Sequence, residues 1–99
     1  MPAYVILQIT VDNPEQYSEY MKMGPPTVSL YGGKYLVRGG KVETVEGDWQ
    51  PPRLVMLEFE SVDKARAWIN SPEYAPARAI RHQAARTQAI IVEGVPQSI

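Results

Sequence analysis

The run Ala3-Tyr4-Val5-Ile6-Leu7-Gln8-Ile9-Thr10-Val11 limits the possible folds more than any other stretch of the chain. It is rich in β-branched and aliphatic residues, and it alternates. Val5, Leu7, Ile9 and Val11 share one face of a strand; Tyr4, Ile6, Gln8 and Thr10 share the other. The first face is wholly apolar and the second is mixed. Such a strand belongs to a sheet with helices against one side. The mixed side needs a cover other than bulk water, either a ligand or a second subunit.

The rest of the chain supplies the partners of that strand. Asp12-Asn13-Pro14-Glu15 is a helix start: Asn13 caps, Pro14 suits the first helical position, and Glu15 complements the dipole. Tyr17, Tyr20 and Met21 follow as one apolar stripe. Gly24-Pro25-Pro26 is expected to interrupt this helix, with a short turn resuming at Thr27 to Tyr31. A second strand is expected from Lys34 to Arg38, with an extension over Lys41 to Val45, and a third from Arg53 to Glu60. Ser61 caps a second helix, and Ser71 begins a further helical segment from about Pro72 to Ala85. Thr87 to Glu93 reads as the last strand. The order β-α-β-β-α-β, with its second helix split, is the ferredoxin-like pattern: an α+β fold with one antiparallel sheet and helices on one face, in a single domain over residues 1–99.

Composition excludes several functions. With 10 basic and 11 acidic residues and a net charge of −1, the chain lacks the basic excess of a general nucleic-acid binder. No apolar run is long enough for a membrane span, and no secretory signal is visible, so a cytoplasmic protein is expected with neither nucleic acid nor membrane as partner. There is no cysteine, which removes thiol catalysis and zinc–thiolate sites. One histidine, without clustered carboxylates, gives no first shell for a metal, and no metal or cofactor is expected.

One stretch is built for more than packing. Tyr31-Gly32-Gly33-Lys34-Tyr35-Leu36-Val37-Arg38-Gly39-Gly40 brackets a short strand with glycine pairs and ends it with a cation. Together with Glu43, Glu46-Gly47-Asp48-Trp49, Leu57-Glu58-Phe59, Ala67 to Tyr74, Arg81 and Ile91-Val92-Glu93-Gly94, it resembles domain-of-unknown-function family 1330. The resemblance runs over nearly the whole chain. It implies a dimeric α/β barrel of the ferredoxin-like type, and so a homodimer. The same superfamily includes small monooxygenases, lactone isomerases and stress-response proteins. Where related chains often carry an aromatic after the tryptophan, this one has Ile69.

Strand parity yields the candidate site. Tyr35 and Val37 are expected to face the helices with Val55, Leu57 and Phe59. That leaves Leu36, Arg38, Leu54, Met56 and Glu58 on the free face with Ile6 and Gln8. Arg38 would then lie opposite Glu58 as a charge pair, with Arg38 anchoring a carboxylate or carbonyl and Glu58 as acid or base. The bland alternative is that the two satisfy each other and serve assembly. Tyr20, Tyr31, Tyr35, Trp68, Tyr74 and Arg81 are the candidate ligand-binding residues, with packing at the core edge as the competing role for the aromatics. Arg78, Arg81 and His82 recur at helical spacing and form either an anion patch or a solvated face in which Arg81 ties down a carboxylate. Ser71 reads as a capping residue. Two functions follow: a small-molecule binder or cofactor-independent enzyme acting on an anionic or carbonyl-containing ligand, or a non-catalytic dimeric module.

Overall fold

The computed structural model describes residues 1–96; residues 97–99, included in the expected domain span, lie outside the described residues. The elements are β1 (Ala3–Val11), α1 (Pro14–Leu30), β2 (Lys34–Arg38), β3 (Leu54–Phe59), α2 (Val62–Ile69), α3 (Ala75–Ala84) and β4 (Ala85–Glu93). The sheet is antiparallel in the order β2-β3-β1-β4, with β1 paired along its length to β4 and over Ala3–Gln8 to β3. This is the ferredoxin-like arrangement.

The parity of β1 holds. Val5, Leu7 and Ile9 are buried against the helices with Val55, Leu57 and Phe59 of β3, and Trp68, Tyr74 and Ala77 close the core from the helical side. The other sheet face carries Ile6, Leu54 and Met56, with Ile90 opposite Ile6 and Val92 opposite Tyr4. Ile90 is 57% exposed there and Val92 39%. Both expected caps form: Asn13 Oδ1 accepts from the Gln16 amide at 3.1 Å, and Ser61 Oγ from the Lys64 amide at 3.1 Å. Ser71 Oγ accepts from the Tyr74 amide at 3.1 Å, so it caps the turn that leads into α3, which begins at Ala75 rather than Pro72.

Three expectations are corrected. First, α1 does not break at Gly24-Pro25-Pro26 but runs through both prolines to Leu30. A helical residue donates to the carbonyl four residues earlier, so Pro25 leaves the Met21 carbonyl without its partner. The Arg38 side chain takes that place, donating from Nη2 to Met21 O at 2.7 Å. Beyond the prolines the helix is held by packing: Val28 is buried, and Trp68 Nε1 donates to Thr27 Oγ1 at 3.0 Å.

Second, β2 contains a bulge. Lys34 pairs with Glu58 and Tyr35 with Leu57, but Val37 pairs with Met56 and Arg38 with Val55. Leu36 is the extra residue, and one extra residue reverses the facing of everything after it. Val37 therefore joins the free face, and Arg38 turns to the helix side. The expected Arg38–Glu58 pair does not form; Glu58 instead meets Lys34 at 3.1 Å.

Third, residues 41–45 extend no strand. They belong to a long connection that folds over the free face, where Trp49 Nε1 donates to Gln8 Oε1 at 2.6 Å.

Candidate functional site

Where α1 crosses the outer edge of the sheet, three elements frame a small cleft. Tyr17, Tyr20 and Met21 come from α1, Tyr35 and Arg38 from β2, and Arg53 and Val55 from β3 and the residue before it. The helical stripe read in the sequence places Tyr17, Tyr20 and Met21 together. Gly24, one turn on, sits beside the same tyrosines: a Cβ there would make ordinary contact, 3.6 Å from the Tyr35 hydroxyl and 3.8 Å from the Tyr20 ring. The cleft has a free volume of about 10 Å³, room for about one water molecule.

Its charge is one-sided. Arg38 sits 4.9 Å from the centre of the Tyr35 ring and is held by the Met21 carbonyl. Arg53 sits 5.5 Å from the centre of the Tyr17 ring and donates from Nε to the Tyr17 hydroxyl at 3.2 Å. Among the described residues, the ion pairs are Lys34–Glu58, Arg66–Asp63 and Arg86–Asp12, so neither cleft arginine has a carboxylate partner.

Behind Tyr20 lies a second polar layer. The Tyr20 and Tyr74 hydroxyls are 2.7 Å apart, and Arg81 Nε donates to the Tyr74 hydroxyl at 3.4 Å. Tyr74 is fully buried and Arg81 is only 3% exposed. Burial, with Tyr74 adding to it, holds the Tyr20 phenol far above its ordinary range; Arg81 opposes the shift without reversing it. Burial likewise raises Tyr35, against the pull of Arg38. Both phenols are therefore neutral hydrogen-bond donors at physiological pH.

The sequence candidates separate on this geometry. Arg38, Tyr20 and Tyr35 line the cleft, and Tyr74 and Arg81 stand behind it. Glu58 lies on the opposite sheet face. Trp68 is core, with its ring centre 4.2 Å from Tyr74 and 5.5 Å from Phe59. Tyr31 is at the far end of α1, donating to Glu73 Oε1 at 2.7 Å. The suggested Arg78–Arg81–His82 patch is not one surface: Arg78 Nη1 donates to the Ile69 carbonyl at the end of α2, and Arg81 turns inward without a carboxylate. Arg53 was missed as a candidate, although its parity with Val55 and Leu57 places it on the helix side.

A wider, open depression of about 630 Å³ lies near Met1, Gly32, Lys34, Glu58 and Pro96. Lys34 and Glu58 pair with each other there, and Glu60 also lines it. Among the described residues, no group of three His, Cys, Asp or Glu side chains gathers to hold a metal, and no helix is long and apolar enough to cross a membrane.

Residues 2–95 match the model of the family described as "Domain of unknown function (DUF1330)", and the chain belongs to that family. No curated protein matches it. Among solved structures it is similar to the RPA0582 protein of unknown function from Rhodopseudomonas palustris, with a TM-score of 0.75 and 21% identity over 96% of this chain and 83% of that one. A dimeric ferredoxin-like protein of unknown function from Jannaschia sp. CCS1 gives a TM-score of 0.71 at 11% identity, over 95% and 100% of the two chains. SnoaB, a cofactor-independent oxygenase from Streptomyces nogalater, gives 0.57 at 11% identity, over 98% and 96%.

Proposed function

We propose that this DUF1330 chain is a small-molecule binder whose cleft under α1 takes an organic anion or carbonyl compound, in a site able to support chemistry without a cofactor. One observation carries the reading: two guanidinium groups, Arg38 and Arg53, share an aromatic-walled cleft with no carboxylate between them. Two neighbouring cations without a carboxylate present a field of one sign that an anion complements. Arg38 is the anchor, since its planar fork suits a carboxylate and its present partner is a single carbonyl. Tyr20 and Tyr35 form the wall. The SnoaB neighbour, described as a cofactor-independent oxygenase, shares this architecture and is compatible with such a site.

A second copy of the chain covers the free sheet face and closes the dimeric barrel. The exposed Ile90 and Val92 beside Ile6, Leu54 and Met56 support that, as does the dimeric neighbour.

Amide-detected NMR titration with benzoate, and with neutral benzamide as control, tests the cleft. Benzoate should move the amides of Tyr20, Met21, Tyr35, Arg38 and Arg53, benzamide should leave them, and Arg38→Met should abolish the response. Benzoate shifts that persist unchanged in Arg38→Met, or no shifts at all, would turn the reading toward a non-catalytic dimeric module.

A further inference from the structure

The register of β2 against β3 puts the two cleft arginines beside each other. Arg38 pairs with Val55. Beyond it the ladder continues, with the Gly39 amide donating to the Leu54 carbonyl at 2.9 Å. Arg53 is tied into the sheet as well, because its carbonyl accepts from the Ile9 amide at 2.9 Å. Lying two residues before Val55, it shares the helix-side face with Arg38 as a diagonal neighbour. Long side chains at diagonal positions reach each other. Both line the one cleft, and both act on the Tyr35 phenol, where burial raises the pKa and Arg38 and Arg53 each pull against it.

Each guanidinium nevertheless has its own seat. Arg38 rests on the Tyr35 ring and the Met21 carbonyl. Arg53 rests on the Tyr17 ring and hydroxyl, and it fills the space over Gly39, where a Cβ would collide with its guanidinium. Among the described contacts, Arg53 spends only Nε and Arg38 only Nη2 on protein partners. Like charges on neighbouring positions of a strand pair repel, and none of the ion pairs of the described residues includes either arginine. A ligand with one carboxylate answers one of these cations and leaves the other. A ligand with two carboxylates answers both, one in each seat.

We infer that the cleft takes short dicarboxylates, with one carboxylate on Arg38 and the other on Arg53. This rests on the anion-binding reading above and adds the second anchor to it. Arg53 is then the residue that tells a dicarboxylate from a monocarboxylate. The chain between the two carboxylates is short, because the arginines are diagonal neighbours and the free space between the lining residues is about that of one water molecule. Arg53 presents its Nη1–Nη2 edge as it stands. To admit the ligand, Arg38 exchanges the Met21 carbonyl for the carboxylate.

Two probes of nearly the same shape decide it: succinate, and succinamate, which carries a neutral amide in place of one carboxylate. Calorimetric titration of the wild-type protein, at a pH where every carboxyl is ionised, should show succinate binding about tenfold tighter, the range of one hydrogen bond to a charged group. In Arg53→Met the two should bind alike. Equal wild-type affinities, or a preference that persists in Arg53→Met, would overturn the role of Arg53. Methyl phosphate binding more tightly than succinate would also overturn it, by assigning both cations to one doubly charged group. The wild-type comparisons decide this even if the variant folds poorly. Failure of succinate and succinamate beside a positive benzoate response would remove the dicarboxylate and leave the anion site standing. Failure of all three would remove the anion site and this inference with it.

Discussion

Arg38 and Pro25 should be energetically coupled, although they sit in different elements. Pro25 has no amide proton, and the carbonyl it would have bonded is that of Met21. The Arg38 Nη2 donor stands at 2.7 Å from that oxygen. In Pro25→Ala the new amide returns the helical partner, and the arginine becomes redundant there. Proline in a helix interior costs about 3 kcal/mol relative to alanine, and the stiffer unfolded chain returns about 0.4–1 kcal/mol of that. That leaves about 2–2.6 kcal/mol, and the Arg38 bond of about 1 kcal/mol that the new amide makes redundant brings the expected stabilisation to about 1–2 kcal/mol.

Arg38→Met in the wild-type background loses a charged hydrogen bond of about 1.5–3 kcal/mol, which the exposure of Arg38 reduces to about 1 kcal/mol. In Pro25→Ala the same substitution should cost little. The contact of Arg38 with the Tyr35 ring is lost in both backgrounds and cancels. Urea unfolding of the four proteins, followed by far-UV circular dichroism with the slopes checked for constancy, gives the coupling directly. The expected value is about 1 kcal/mol. A coupling within about 0.3 kcal/mol of zero would mean that the carbonyl finds its partner elsewhere, and the account of this helix would fall.

Gly33→Ala should destabilise the fold by about 1–3 kcal/mol, because its Cβ would come within 2.6 Å of Phe59 and 2.9 Å of Val28; an unchanged urea midpoint would show that the Phe59 ring gives way. His82 is held below its ordinary value of 6.5 first by burial and then by Arg81 and Arg78, so the fold favours the neutral ring. The unfolded chain then takes up the proton first, and stability present above about pH 6.5 is lost as pH falls through the lower folded value. His82→Gln should flatten that part of a melting temperature–pH profile, and an unaltered profile would place the effect elsewhere. Ile90→Glu, on the free face, should convert the proposed dimer to monomer in light-scattering chromatography; a retained dimer would assign the interface to another surface.

What the sequence made legible was whatever a local period or a local cap controls. The alternation of β1 is intact, so its faces were readable residue by residue. Asn13 and Ser61 cap through their own side chains within three residues. The bulge at Leu36 was not legible, because Tyr35-Leu36-Val37 is apolar throughout and offers no polar contrast to mark a slipped register. Alternation holds up to Tyr35 and inverts after the bulge. The helix through Pro25 and Pro26 escaped for a different reason: local preference was overridden by the burial of Val28, the Trp68–Thr27 bond and the arginine from another strand. The meeting of Tyr20, Tyr74 and Arg81 depends on how α1 and α3 are laid side by side, which no spacing within either helix specifies.

The two failures of local reasoning are not independent of each other. The bulge turns Arg38 to the helix side, and the proline exposes the carbonyl that Arg38 then holds. The helix does not need the proline, since an alanine at position 25 would make a better one. Each departure carries a stability penalty, and both end on one hydrogen bond at the mouth of one cleft. Departures of this kind accumulate where structure is shaped for something other than stability. On the proposed reading, both together leave a guanidinium resting on a single carbonyl that a carboxylate ligand can replace.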